Sequence, residues 1–512
     1  FHIVKKNKQK IVRPRPSTPK GFKDYFHLYS KKRVLLIKEI CEVYELYGFE
    51  NLETSAIENL DALGKYLPDI DRPNQGVFSW KDEENNWLAL RYDLTAPLAR
   101  VYAQHLKELP LPYRRYSWGP VWRNEKPGLG RYRQFYQCDA DTVGAHSAVA
   151  DAEMCIMLST IIEKIGIRKD RYVINLNNRK ILNGILEEIG ILNNNGIDQN
   201  LSDMVLRSID KIDRLGLLGV KDLLGKGRRD DSGDFTSGAN LDKAQIDHIL
   251  QFINMKQDNN IKTLKNIKDL VGDSATGNQG IKEIEQILEL SEAAGVFEDR
   301  IRVSPSTVRG LGYYTGPVYE VELTEKIENE DGTVNEIGSV AGGGRYDDLI
   351  KRFTGQIIPA TGFSLGVDRL LFALNQMKSK AENDEKGPII ITIMEKDKLS
   401  EYQKIVIELR RAGIKSELYQ GNPKDLGRQL KYADNRGSKF AIIMGSNELN
   451  KGVVQIKDLE LGSRISSHIK SHEEWKDQPA QVEISREKSV SYTHLRAHET
   501  VLDLVCRLLL EK

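Results

Sequence analysis

A multidomain chain of mixed α and β structure is predicted, on three observations. Strand-like text punctuated by Gly and Pro runs from about 78 to 143 and returns from 300 to 371. Between these stretches, at about 180–298, Leu and Ile recur at helical spacing among Asn, Asp and Lys. From 388 to 485 strands alternate with helical patterns, which implies a small parallel or mixed sheet of its own. The 512 residues correspond to roughly three units at about 150 residues each.

Composition removes several function classes. With 75 Lys+Arg against 74 Asp+Glu the formal net charge is +1, which excludes a polybasic, histone-like protein but allows a local basic face. No apolar run approaches the ~18 residues of a membrane span. The basic opening from Lys5 to Arg15 is followed by no apolar segment, so no secretory signal and no membrane association are expected. Cys41, Cys138, Cys155 and Cys506 are too few and scattered for a disulfide framework, and no Cys-x-x-Cys suggests zinc. A reducing, cytoplasmic setting follows. The chain opens on Phe1, as a fragment does.

Taken in order, residues 1–18 read as a basic, Pro-rich arm. Val34, Ile37, Cys41 and Tyr44 recur at helical spacing, and Gly48 stops that helix. Phe49–Ile57 reads as a strand, and 172–177 (Tyr-Val-Ile-Asn-Leu-Asn) as a buried one. A core of 19–377 thus carries a helical insertion at about 180–298. The polar stretch 378–387 reads as a linker. Within 388–485, 388–394, 439–445 and 453–459 read as strands and 400–412 as an amphipathic helix. The tail, 486–512, is expected to be non-native. From Ser489 it holds two of the nine histidines and resembles translated adapter read-through.

Three blocks carry chemistry. In Leu90-Arg91-Tyr92-Asp93-Leu94-Thr95-Ala96-Pro97, the Asp93 carboxylate and Thr95 hydroxyl suit an ammonium group, although Asp-x-Thr equally makes a turn or helix cap. The second block runs from Gly119 to Gln137 and reads as a hairpin with Arg123, Arg131 and Arg133 on or near it. Three guanidinium groups suit a polyphosphate, each fork binding phosphate oxygens. A solvated basic hairpin, or an aromatic stacking platform for single-stranded nucleic acid, fits the same text. The third block is Val308-Arg309-Gly310-Leu311-Gly312-Tyr313-Tyr314-Thr315-Gly316, followed by Gly342-Gly343-Gly344-Arg345-Tyr346-Asp347. Neither nucleotide-binding glycine fingerprint applies, and tight turns with Gly at positive φ are the simplest account. Thr361–Leu370 reads as a strand entering a helix with Arg369 at its start. His27, His105, His146 and His248 have no second ligand at metal spacing, so no metal site is expected.

Read together, these blocks resemble the histidyl-tRNA synthetases, a family of class II aminoacyl-tRNA synthetases, from about Gly21 to Ser485. Arg123 with its hairpin is similar to class II motif 2, and Gly366–Leu370 to motif 3. The Arg309–Gly316 and Gly342–Asp347 segments are similar to the family's two histidine signatures, and 388–485 to its anticodon-binding domain. The resemblance implies an antiparallel-sheet catalytic core, an obligate homodimer through a motif 1 near 31–57, and the partners L-histidine and tRNA(His). It implies ATP as a substrate, with Mg2+, and a histidyl-adenylate intermediate. By the same resemblance Asp93, Thr95, Gln137 and Asp141 read the amino group and imidazole of histidine, with Tyr313 and Tyr314 lining that pocket. Arg123 clamps the α-phosphate and the substrate carboxylate, and Arg309 approaches the opposite side. Arg131 or Arg133, with Arg369, holds the outer phosphates, and Glu125 sits near the adenine. The chain departs from the family pattern at Gly312, where an acidic residue is usual, and at Ser55-Ala56, where motif 1 usually has proline. The Arg123–Gly130 loop and the Asp139–Gly144 run resemble a bacterial subgroup in which recognition of the extra 5′ guanosine of the tRNA is altered. A synthetase-like regulatory subunit of histidine biosynthesis is the alternative. Such paralogues lack the anticodon-binding domain and typically lose the ATP arginines.

Overall fold

A computed structural model describes residues 15–63, 76–128, 131–193, 196–229, 235–255, 259–308, 314–324, 326–328, 334–336, 338–377, 386–423, 425–461 and 481–489. Two compact units meet between Lys378 and Ser379.

The first unit is built on eight strands: β1 (Glu50–Asn51), β2 (Tyr113–Trp122), β3 (Gln134–Val143), β4 (Tyr172–Asn178), β5 (Ile301–Val303), β6 (Pro317–Leu323), β7 (Ser339–Arg345) and β8 (Ala360–Gly366). Across the sheet they run β1, β2, β3, β8, β7, β6, β4, β5. The six inner strands are antiparallel, and only the two edge pairs are parallel. The hairpin expected around Arg123 is β2–β3, in register from Tyr113 opposite Val143 to Trp122 opposite Gln134.

Alternation along these strands sends one set of side chains into an apolar layer. Cys138, Ala140, Leu176, Val321, Phe363 and Leu365 enter one core with residues of α1 (His27–Leu46) and, farther along the chain, Ala148–Lys164. In α1 the buried stripe is Leu36, Ile37, Ile40, Val43 and Tyr44. Val34, expected on that stripe, is 62% exposed, because the sheet takes the face centred one turn further on.

The strand expected over Phe49–Ile57 is broken. Only Glu50–Asn51 pairs with β2, and Ile57–Asn59 joins a separate three-stranded sheet. Between them Arg91 takes the backbone that a neighbouring strand would use, its Nη1 donating to Thr54 O at 2.8 Å. Ser55 accepts the amide of Ile57 through its hydroxyl at 3.2 Å, so at the Ser55-Ala56 departure the turn is made by a side chain.

The remaining helices of this unit that bear on the site are α2 (Thr95–Gln104), α3 (Ala148–Lys164), α4 (Arg179–Glu188), α5 (Ala275–Ala293) and α6 (Val367–Met377). The helical stretch is not all an excursion. Helices α4 and α5 cross so closely that a Cβ on Gly184 would lie 2.6 Å from Gly277 Cα. Ile181, Ile185, Ile281 and Ile284 from this pair belong to the sheet's own core. Helix α3 is fastened to the end of β7 by a buried ion pair, with Arg345 Nη2 2.6 Å from Asp151 Oδ2.

The second unit is a five-stranded mixed sheet, as its alternating pattern predicts. Strands β9 (Ile389–Ile391), β10 (Ser416–Leu418) and β11 (Phe440–Ile443) are parallel, while β12 (Val453–Asp458) and β13 (Gln481–Ser485) run antiparallel. Helices α7 (Leu399–Arg411) and α8 (Leu426–Asn435) join the strands. Gln429 of α8 is fully buried and brackets one residue beyond β9, accepting the amide of Ile393 and donating to its carbonyl at 2.8 Å each. Past β13, Arg486 lies 3.2 Å from Glu401 of α7 and Ser489 is buried. Residues 486–489, which the sequence reading assigns to the tail, thus pack on the second unit. Residues 490–512 and most of the arm (1–14) and linker (378–385) lie outside the described residues.

Candidate active site

Strand positions that do not enter the helical core share the opposite face of the sheet. On β2, Arg115, Ser117 and Gly119 stand across from Asp141, Asp139 and Gln137 on β3. On β8 the partners of that row are Gly362, Ser364 and Gly366. Small residues here keep the face open. A Cβ on Gly362 would lie 2.1 Å from Asp141 Oδ1, and one on Gly344 would lie 2.9 Å from the Tyr314 ring. Gly342 to Gly344 therefore sit inside β7 as a floor, and not in the turn that their sequence suggests.

Helix α2 brings Asp93 and Thr95 to this floor. Both are buried, and Asp93 Oδ1 accepts the amide of Ala96 at 3.0 Å. The helix-cap reading of Asp-x-Thr is thus correct for one oxygen. Burial raises the Asp93 carboxyl above the ordinary range, against the pull of Arg123 and Arg115, while the Asp141 charge adds to the rise. Those couplings place Asp93, Arg123, Arg115 and Asp141 in one field. Gln137, also buried, has a carbonyl oxygen Oε1 without a hydrogen-bond partner among the described residues. It is an acceptor available to a ligand's N–H.

The arginines separate into two places. Arg123 follows β2, donates from Nε to Tyr92 O at 3.2 Å, and lies over the Phe135 ring, 5.2 Å from its centroid. Arg369 opens α6 and donates from Nη1 to Ser339 O at 2.6 Å. Burial lowers its pKa, and the nearby Arg131 lowers it further. The Glu320 carboxylate acts in the opposite direction. Arg133 instead donates to Glu125 O at 3.0 Å and packs on Gly21, so it shapes the loop. The Glu125 side chain is exposed. Tyr314 is buried beside Gly344, whereas Arg309, Gly312 and Tyr313 lie outside the described residues.

The sequence reading missed Arg115 and Asp139 and gave Tyr346 no role. Arg115 is fully buried, with Nη2 2.7 Å from Asp141 Oδ2, and the Tyr346 hydroxyl donates to Asp141 Oδ1. The signal was available, because counting outward along the hairpin sets Arg115 against Asp141. Asp139 is buried opposite Ser364 of β8, whose side chain is its hydrogen-bonding neighbour. Burial carries its carboxyl to about 8, against Arg115 and with the help of Asp141. A carboxyl raised in the folded state binds its proton more tightly than in the unfolded chain. Stability is therefore lost as pH climbs from about 4, the unfolded value, toward the folded one. Asp139→Asn is expected to shrink the fall in Tm between pH 6 and pH 9, and an unchanged fall would show that Asp139 does not titrate there. Among the described residues no group of three or more His, Cys, Asp or Glu is arranged to hold a metal ion. None of the described helices is long and apolar enough to cross a membrane.

An antiparallel sheet with a carboxylate–glutamine pocket beside separated arginines, joined to a mixed-sheet second unit, is the architecture of a class II aminoacyl-tRNA synthetase. Residues 21–370 match the family model described as histidyl-tRNA synthetase, and 389–491 match that of an anticodon-binding domain. The chain belongs to the histidyl-tRNA synthetase family. It is 56% identical over 478 residues to the histidine–tRNA ligase of Dinoroseobacter shibae, covering 93% of this chain and 96% of that one. It is 50% identical to the enzyme of the same name from Rhizobium leguminosarum, over 90% of each chain. Among solved structures, histidyl-tRNA synthetase from Nostoc superposes with a TM-score of 0.69 at 27% identity, over 94% of this chain and all of that one. A Bacillus halodurans structure titled as an ATP phosphoribosyltransferase regulatory subunit/histidyl-tRNA synthetase shares the fold at 20% identity and a TM-score of 0.65, over 85% of this chain and all of that one.

Proposed function

We propose that this chain ligates L-histidine to tRNA(His) in protein synthesis, through a histidyl-adenylate made from histidine and ATP. The observation that carries this reading is the 54–56% identity to histidine–tRNA ligases along nearly their whole length. The regulatory-subunit alternative is not favoured, since the anticodon-binding domain is present and Arg123 and Arg369 both stand at the open face.

The residues on that face support a division of labour. Asp93 and Thr95 take the ammonium group of histidine, with Gln137 Oε1 as a further acceptor, and Asp141 takes an imidazole N–H over the Gly344–Tyr314 floor. Arg123 bridges the substrate carboxylate and the α-phosphate, so the attacking oxygen and the phosphorus are brought together before reaction. Attack forms the carboxyl–phosphate bond and breaks the bond to the leaving pyrophosphate. Negative charge builds on the phosphate oxygens, where a guanidinium held by Tyr92 O stabilises it without reorganising. Arg369 and Arg131 take the outer phosphates of ATP, which enters as its magnesium complex; Arg309 and Tyr313 join by resemblance. The 3′-terminal ribose of the tRNA then accepts the histidyl group and AMP leaves. A second copy of the chain covers α1, whose Val34, Leu35 and Leu46 are exposed, giving the homodimer.

Histidine-dependent ATP–pyrophosphate exchange tests the first step. Exchange with histidine and with no other amino acid is expected, and histidine binding without exchange would turn the assignment toward a regulatory subunit.

A further inference from the structure

Arg115 is fully buried and is the only guanidinium in contact with Asp141 among the described residues. Its Nη2 also donates to Leu94 O at 3.0 Å, between Asp93 and Thr95. One side chain on β2 thus touches both the carboxylate on β3 and the turn that starts α2. Its Nε and Nη1 have no hydrogen-bond acceptor among the described residues, although the Asp139 carboxyl lies close enough on the neighbouring strand to couple to it. A buried cation left with unused donors beside two carboxylates is costly to keep. Its contacts fix the two parts of the pocket that meet opposite ends of the amino acid.

We propose that Arg115 is the positioning residue of the histidine pocket: it holds Asp141 in the orientation that accepts the imidazole N–H, and ties that carboxylate to the Asp93–Thr95 turn. This rests on the reading of Asp141 as the imidazole acceptor. Tyr346 shares the task by donating to the other carboxylate oxygen, and Gly362 on β8 leaves free the space that Asp141 Oδ1 takes, which a Cβ there would fill. The groups facing Asp141 are Arg115 from β2, Tyr346 after β7, Asp139 on its own strand, Asp93 before α2 and, from the helical side, Tyr44 of α1. Arg115 alone among them favours the anion by charge. Burial pushes the Asp141 carboxyl upward, and Arg115 opposes that push most strongly.

The test is pyrophosphate exchange by the full chain carrying Arg115→Met, with histidine and ATP varied separately. The KM for histidine is expected to rise on the order of 10²-fold, as misplacement of a reading group by about 1 Å does, while the KM for ATP moves less than about threefold. The acid limb of the pH profile of kcat/KM for histidine should also move to higher pH, because Asp141 without the guanidinium is protonated more readily. A merely structural arginine would move neither the split nor the limb. Arg115→Lys keeps the charge and loses the fork, and about a tenfold rise in the histidine KM is expected. It carries the test where the Met variant does not fold. Equal changes in both KM values, or an unmoved acid limb, would overturn the proposal. Asp141→Asn separates the two layers. If it leaves the histidine KM unchanged, the reading of Asp141 fails. If it raises that KM while both Arg115 variants do not, the positioning role fails alone.

Discussion

Arg123→Ala is expected to lower histidine-dependent pyrophosphate exchange by about 10²–10³-fold, the loss that follows removal of one preorganised donor to a developing oxyanion. The expectation comes from where the guanidinium is held. Its Nε is taken by Tyr92 O and its face rests on Phe135, so it is fixed before substrate arrives. Aligning it costs nothing at the moment of reaction. The side chain is only half-buried and makes one hydrogen bond to its own fold, so Tm should hardly change. Rapid-quench measurement of adenylate formation at saturating histidine and ATP separates this loss from weaker binding. A variant within a factor of a few of the parent would remove Arg123 from the chemical step.

The largest effect on stability is expected at Asp151→Ala, on α3. Asp151 and Arg345 are both buried, with Oδ2 contacting Nε at 3.0 Å and Nη2 at 2.6 Å. Arg345 also donates to Ala145 O at 2.7 Å and Ser147 O at 3.1 Å, which anchors the start of α3. Removing the carboxylate leaves the buried arginine with only the partly exposed Asp347, 3.8 Å from Nη1, as countercharge among the described residues, a loss of about 3–5 kcal/mol. Urea unfolding of the two proteins at neutral pH measures it. A difference below about 1 kcal/mol, the worth of an exposed pair, would mean that water reaches Arg345.

Arg345 also shows what could be read in the residues and what could not. The run Gly342–Asp347 stands out by composition, but composition does not say that its arginine turns into the core toward α3 while its tyrosine reaches Asp141. Local pattern located the β2–β3 hairpin, the strand at 172, the α6 start at Arg369 and the mixed second sheet, because each depends on periodicity over a few residues. It failed at Phe49–Ile57, where a distant arginine claims the backbone, and at the glycine run, where space and not φ selects glycine. Resemblance singled out Asp93, Gln137 and Asp141, and the structure puts Gln137 and Asp141 in one row with Asp93 coupled to Asp141. Arg115 carries no motif of its own; only counting the hairpin register outward from its loop sets it against Asp141.

The acidic row on β3 and the small residues facing it on β8 lie far apart in the chain: β3 closes at Val143, and β8 begins at Ala360. During synthesis, at about 5–20 residues per second, β3 waits on the order of tens of seconds with one edge unpaired. For that interval the nascent chain presents Gln137, Asp139 and Asp141 on an open strand, with no β8 to cover its hydrogen-bonding groups. The alternating acids on that edge repel a second copy of themselves. Asp141, proposed to read histidine in the finished enzyme, thus acts with Asp139 against pairing of the half-made sheet with its neighbours on the polysome.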